Sequence, residues 1–546
     1  VQDGWHRCAA LRTWIARGHS AHGLRAASAA ISNIHDAPCA NFLPAGRLLR
    51  TAKGHAMSSP EFDLLIKNVR VVRPQGEVAH ACDIAIAGGK IAQLAPGIDV
   101  TRAREVHDGQ GQLAFPGVVD AHMHSGIYSP LAEDAVTESK AAAMGGVTSS
   151  LNYFRTGQYY LNKGGPYAKF FPEVLKISKN RFHVDYGFHL APMSGAHIGE
   201  IPMLVEKHGV SSFKIFMFYG SHGLHGASNT QRDFLMIGED ERYDLAHFEF
   251  VMRGVQAARE QFPERARQIS LSLHCETAEV MTAYTRLVEK DKSLSGLAAY
   301  SASRPQHSEG LAVFIASYLA NETALPNINL LHLSSRKAVQ AALMMAEVFP
   351  HIDFKREVTI GHLMLDINSK AAELAKVNPP IRPREDVEYL WEALLAGELD
   401  WVVSDHACCR HETKIPKRYF GNIWMAKSGF GGTEYLLPAL VSEGTRRGMS
   451  YNHMARVLSW NPAQRYGLNH KGDLAPGFDA DIALVDPART WTITAGDSPS
   501  TQGYTPFEGL EMSARVEATF LRGMKIYADG QVIGKPRGQY LHRPTA

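Results

Sequence analysis

The sequence predicts an α/β protein: a (β/α)8 TIM-like barrel carrying a small β-sandwich domain formed by the N- and C-terminal segments. Three observations predict it. Short β-like runs occupy both ends of the chain, the middle alternates apolar runs with longer helix-like stretches, and several of those middle runs end on histidine, lysine or aspartate.

The chain has 546 residues, 45% hydrophobic and 21% charged, the balance of an ordinary globular protein. Single cores stop growing near ~250 to 300 residues, so a large unit and a smaller one are expected. At the N-terminal end, runs at 64–72, 83–87 and 90–94 flank the pair Gly88-Gly89. Two such runs around a two-residue glycine loop signal a hairpin, because glycine accepts the positive φ of the tight turn. The same texture returns at 481–485, 516–521 and 524–527, punctuated by Pro476-Gly477, Arg522-Gly523 and Asp529-Gly530. Segments 58–112 and 466–530 are therefore assigned to one β-domain, residues 113–465 to the barrel and 531–546 to a tail. Between them, helix-like stretches at 248–262, 310–319 and 336–348 alternate with short apolar runs, which is the pattern of repeated βα units.

Charge and cysteine usage narrow the partners. A formal net charge of +2 supplies no concentrated basic face, which argues against nucleic acid and acidic membrane surfaces. The apolar stretch at 311–320 falls far short of the ~20 residues of a membrane span. Cys8, Cys39, Cys82, Cys275, Cys408 and Cys409 form no CxxC pair, which suits a reducing, cytoplasmic setting. Residues 1–57 carry an excess of arginine but no sustained amphipathic period, and Met57 precedes the first strand. They read as an extension, disordered or non-native, rather than a targeting peptide.

The chemistry starts at Phe115-Pro116-Gly117-Val118-Val119-Asp120-Ala121-His122-Met123-His124. On a strand, positions i and i+2 share a face, so both imidazoles can reach one ion. Among 26 histidines one such pair is weak, but it stands where an apolar run ends, the place from which barrel strands project functional groups. The pattern recurs. Lys214 lies in the run 212–217, His274 follows 269–273, His332 follows the run ending at 331, and Asp405 closes 401–405. Singly each has a structural explanation, as a satisfied core histidine, a helix cap or a snorkelling lysine. In register on separate strands they read as a metal centre.

These motifs resemble the amidohydrolase superfamily, and within it the cyclic amidase group of hydantoinases, dihydropyrimidinases and allantoinases, from Phe62 to the C-terminus. The resemblance implies two divalent metal ions, zinc first, with manganese or cobalt as alternatives. His122, His124 and Asp405 would hold one, His274 and His332 the other, and a carboxylated Lys214 would bridge them. A free amine with a pKa near ~10.4 stays protonated at neutral pH and cannot ligate. Its carbamate offers two anionic oxygens. Asp405 would also shuttle the proton from water to the leaving amide nitrogen.

The resemblance also implies that Tyr219 holds the substrate carbonyl as it becomes an oxyanion, although a packing aromatic would look the same in sequence. It implies substrate contacts from Asn378, in Asn378-Pro379-Pro380-Ile381-Arg382, and from Gly431, in the loop of Gly429, Gly431 and Gly432. Ile127, Tyr128 and Phe216 suggest an apolar pocket. Dihydroorotases of this group place an arginine where Gly126 stands, and many hydantoinases carry serine where Asn378 stands. Hydantoins, dihydropyrimidines, allantoin and related imides or ureides remain as small-molecule substrates, and the resemblance implies a homotetramer. Two other readings stay open: a non-catalytic scaffold like the dihydropyrimidinase relatives that have lost their metal ligands, and a hydrolase of linear amides or carbamates.

Overall fold

The computed structural model describes residues 60–76, 80–220 and 230–545. The expected extension, with Cys8 and Cys39, lies outside the described residues. Five strands open the described chain: β1 (Phe62–Val71), β2 (His80–Ala87), β3 (Lys90–Ala95), β4 (Ala103–Asp108) and β5 (Leu113–Pro116). β2 and β3 form the expected antiparallel hairpin, and Gly88 and Gly89 take φ of 59° and 78°, a region glycine enters without strain.

Eight strands follow: β6 (Val118–Met123), β7 (Val147–Phe154), β8 (Asp185–Leu190), β9 (Ser212–Phe216), β10 (Ser270–His274), β11 (Asn327–Leu330), β12 (Asp353–Thr359) and β13 (Trp401–Val403). They pair in chain order, every neighbour parallel. A parallel bridge between Met123 and His406, with His124 N donating to His406 O at 2.7 Å, brings the last strand round to the first. Helices including Leu245–Gln261, Gln306–Glu322 and Arg336–Val348 connect the strands. β6 to β9 are buried along their whole length, as expected of parallel strands covered on both faces. Leu151, Phe213, Leu271 and Ile328 are fully buried, each contributing roughly 1.5–3 kcal/mol of transfer free energy.

The chain closes with β14 (Ile482–Asp486), β15 (Trp491–Thr492), β16 (Glu511–Met512), β17 (Arg515–Leu521), β18 (Met524–Ala528) and β19 (Gln531–Val532). β14 pairs antiparallel with β5 and β17, so strands from both ends share one nine-stranded sheet. β1 pairs with β4 over Phe62 to Lys67 and with β5 only at Arg70 and Val71, which divides the sheet along β1. Gly117 joins that sheet to the barrel: its N–H meets Asp481 O at 2.8 Å, and a Cβ there would lie 2.1 Å from Thr148 Oγ1. No side chain fits.

At the strands' N-terminal end, buried Lys471 meets Asp185 at 2.9 Å and Asp481 at 2.6 Å, and Arg522 also binds Asp185. The tail packs against the same end. Gln539 O accepts from Tyr186 N at 2.9 Å, Leu541 N donates to Tyr186 O at 2.8 Å, and Arg543 N donates to Gly209 O at 3.0 Å. The buried Arg543 guanidinium donates to Ser212 Oγ at 2.8 Å and to Phe188 O. Among the described residues no helix is long and apolar enough to cross a membrane.

Candidate metal centre

His122 and His124 end β6 on one face, with their Nε2 atoms 3.2 Å apart. Asp405, two residues past β13, places Oδ1 3.1 Å from His122 Nε2 and 3.3 Å from His124 Nε2. Lys214, in the middle of β9, brings Nζ within 3.2 Å of His122 Nε2. His274 ends β10, and its ring lies 4.3 Å from that of His332, which lies 5.4 Å from His122. Six groups from five strands thus meet at the C-terminal end of the barrel. His332 and Asp405 hold φ of 34° and 53°, a strain of about 1–3 kcal/mol each for non-glycine residues and typical of functional sites.

Burial sets the electrostatics. It pushes Lys214 down to about 7 against the pull of Asp405 and Glu357, because an ammonium loses its hydration between the rings of Tyr153 and Phe216, 3.9 and 4.4 Å away. Burial also holds His274 down to about 4 and His332 and His122 well below the usual imidazole range. Their rings are neutral at pH 7, with lone pairs free to ligate. For Asp405 burial is outweighed: His122, His124 and Lys214 keep its carboxyl far below the ordinary range.

The donor set fits a cation. His332 Nδ1 is buried with no hydrogen-bond partner among the described residues, an arrangement that costs about 1–3 kcal/mol unless a ligand fills it. Neutral imidazoles beside a carboxylate are the usual ligands of zinc-like ions. Glu357, on β12, supports them. It is fully buried, accepting from His122 Nδ1 at 2.7 Å, His332 N at 3.1 Å and Trp401 Nε1 at 2.9 Å. Burial pushes it up to about 8. Positive charge at the centre would favour its ionised form, fixing the His122 proton on Nδ1 and aiming Nε2 inward. Glu276 plays a similar part, binding His274 Nε2 at 2.7 Å and Arg304 at 2.8 Å.

The centre opens into a cleft whose walls include His124, Lys214, Tyr219, His274, His332, Asn378 and Asp405. The apolar expectation holds here too, since Ile127, Tyr128 and Phe216 line it with Phe218. Asn378 Oδ1 accepts from Tyr300 OH and, at 3.2 Å, from Ser428 Oγ, so its amide ties the Asn378 turn to the 428–429 loop. Gly431 is placed differently from expectation. It is not among the cleft residues; Ser428 and Gly429 are. Its N–H donates to Gln502 Oε1 at 2.6 Å, and a Cβ would meet the His406 ring at 2.8 Å. Its glycine serves close packing behind the cleft.

A second cluster, Asp134, Glu138 and Cys408, differs in kind. Glu138 already accepts from His406 Nε2, Ser500 Oγ, Thr137 Oγ1, and the N–H and hydroxyl of Thr501, at 2.6–3.2 Å. Its lone pairs are used, which leaves none for an ion.

Sequence reasoning missed Glu357, Glu276, Tyr160 and Arg155. Glu357 sits in Asp353-Phe354-Lys355-Arg356-Glu357, whose charge density reads as solvent-facing. A clue was available in the Val358-Thr359 that follows, which marks the stretch as a strand.

A parallel barrel whose strand ends gather neutral imidazoles, a lysine and a carboxylate at one cleft defines a barrel hydrolase. The pattern of the amidohydrolase family matches residues 316–526. The chain is 32% identical over 487 residues to an allantoinase of Rubrobacter xylanophilus, covering 88% of this chain and 97% of the relative. To an Escherichia coli allantoinase it is 31% identical over 491 residues, covering 88% and 98%. The fold matches the dihydropyrimidinase of Brevibacillus agri with a TM-score of 0.74 at 25% identity, covering 88% and 98%. It matches the D-hydantoinase of Bacillus sp. AR9 with 0.74 at 25%, covering 89% and 100%. The chain belongs to the amidohydrolase family, in its cyclic amidase group, and is a cyclic amidohydrolase acting on C–N bonds other than peptide bonds.

Proposed function

We propose that this enzyme opens the ring of a small ureide, allantoin foremost, at a centre of two divalent metal ions. The observation that carries the metal reading is the convergence of His122, His124, Lys214, His274, His332 and Asp405 on one buried point beside the cleft. The allantoinase relatives, more than 30% identical over nearly their whole length, favour allantoin over other rings.

In this reading His122, His124 and Asp405 would hold one ion, His274 and His332 the second, and Lys214, as its carbamate, would serve both. Zinc suits the donors best, with manganese or cobalt as the alternatives. A depressed amine supports carboxylation, since the neutral form is the one that attacks CO2. Ions held there would supply Lewis acidity, making water nucleophilic near neutral pH and a carbonyl more open to attack. Asp405, ionised and touching both histidines, takes the water proton and returns it to the departing nitrogen. Tyr219 donates its hydroxyl to the carbonyl oxygen as charge builds there. Asn378 and the 428–429 loop orient the ring. The enzyme works in the cytoplasm as a homotetramer, which sedimentation of the purified protein checks.

The deciding experiment measures metal content and ring opening of allantoin, hydantoin, dihydrouracil and phthalimide. Two ions per chain and fastest turnover of allantoin are expected. A fully metallated protein that opens none of the four rings overturns the reading.

A further inference from the structure

Arg155 directly follows β7, at the barrel end that carries the candidate centre. It is 1% exposed. One guanidinium nitrogen donates to Thr156 O at 2.8 Å, and Nε has no acceptor among the described residues. The groups that act most on its charge are the hydroxyls of Tyr219, Tyr160 and Tyr167 rather than any carboxylate, and the sequence of residues 221–229 contains no acid. The equally buried Arg304, Arg382 and Arg465 each meet a carboxylate, Glu276, Glu309 and Asp353, at 2.6–2.8 Å. Arg543 has hydrogen bonds but no acid partner among the described residues and lies at the other end of the barrel.

Around Arg155 stand three rings: Phe234 at 4.7 Å, Tyr219 at 5.3 Å and Tyr160 at 5.4 Å from the guanidinium carbon. Cation–π contacts of this kind contribute about 2 kcal/mol when desolvated, less than the several kcal/mol that burying an unpaired ion costs. Tyr219 and Tyr160 both line the cleft, and Tyr160 OH lies 2.9 Å from His124 Nδ1. The charge is therefore held behind two tyrosines that line the cleft, and among the described residues it has no carboxylate partner until negative charge appears there.

We propose that Arg155 is a positioning residue for the oxyanion: its unpaired guanidinium orients and polarises Tyr219, and the carbonyl oxygen of the ring, once negative, is its missing counter-charge. This rests on the ring-opening reading above. A preorganised charge that meets its partner only in the transition state lowers the barrel's stability slightly and the reaction barrier more.

The test compares metal-loaded wild type, Arg155→Met and Arg155→Lys by steady-state kinetics, metal content and thermal unfolding. With Met, kcat falls about 30- to 100-fold at nearly constant KM, below the 10²–10³ typical of deleting a direct oxyanion donor. Lys restores part of it. Metal content is unchanged and Tm does not fall, since an isosteric apolar group replaces an unpaired ion. A structural arginine would instead lower Tm and leave kcat of the folded fraction intact, and that result overturns the proposal. A readout without turnover accompanies it: the near-ultraviolet absorption difference at neutral pH between each protein and its Tyr219→Phe counterpart isolates the Tyr219 phenol. Losing the guanidinium moves that phenol's band, because its absorption follows the charge held beside the hydroxyl. If wild type opens no ring yet the phenol moves, the ring-opening reading fails and the link between Arg155 and Tyr219 stands. If wild type turns over and neither kcat nor the phenol moves with Met, the Arg155 proposal fails alone.

Discussion

Two lysines with almost no exposure occupy opposite ends of one barrel, and their surroundings could hardly differ more. Lys471, at the N-terminal end of the strands, is held by Asp185, Asp481 and Asp479 at 2.6–3.2 Å and titrates above the ordinary lysine range. Lys214, at the C-terminal end, has only His122 within hydrogen-bond distance among the described residues and is driven down to about 7. One end pairs its charges, and the other leaves them waiting. A buried charge with its partners in place supports the fold, while one without them is a standing expense that binding or turnover relieves. The same asymmetry separates Arg522, bound to Asp185, from Arg155, bound to no acid among the described residues.

Removing the proton carrier should break the waiting end most completely. Asp405→Asn is expected to lower kcat about 10³- to 10⁴-fold, the upper range for general acid–base groups, with the folded state intact by circular dichroism; near-normal kcat would sink its role. Lys471→Met should break the paired end instead. Removing the cation that three aspartates share is expected to cost about 3–5 kcal/mol of unfolding free energy, read by denaturant titration, with kcat of the folded fraction close to wild type. A variant that loses activity but no stability would erase the contrast.

Glu357→Gln sharpens the comparison within the functional end. It keeps the shape but withdraws the anion behind His122, so metal affinity should drop about 10- to 100-fold, measured by competition with a chelator. Unchanged affinity would make Glu357 a packing residue only.

The smallest effect is one of sign. Lys471 has a raised folded pKa, so its contribution is full at neutral pH and is lost as pH climbs past ~10.4. Lys214 has a lowered one, so in metal-free protein it opposes folding at pH 7 and below, and that opposition fades as pH rises from about 7 toward the unfolded value. Metal-free Lys214→Met should therefore exceed wild type in stability at pH 7 and approach it near pH 10. Equal stability at both values would contradict the assigned desolvation.

Much of this was readable in the residues, for a physical reason. Parallel strands covered on both faces must be apolar, so a histidine or aspartate ending such a run stands out, as His124, His274 and Asp405 do. The hairpin at Gly88-Gly89 was legible because tight turns demand glycine. What stayed hidden are groups defined by partners far along the chain. Glu357 answers His122 across 235 positions, and nothing near it announces that. Arg155 is conspicuous only by what it lacks, and a missing counter-ion leaves no trace in a string of letters. Gly431 was misplaced because a glycine that admits a neighbouring ring and one that admits a ligand look identical until the ring of His406 is located.

The tail against β8 and β9 carries a consequence for biogenesis. Arg543 donates to Phe188 and Ser212 across 355 and 331 positions, so strands that leave the ribosome early wait for a clasp that is made hundreds of residues later. A nascent chain stalled before residue 538 should therefore stay protease-sensitive around β8 even though all eight barrel strands have been synthesised.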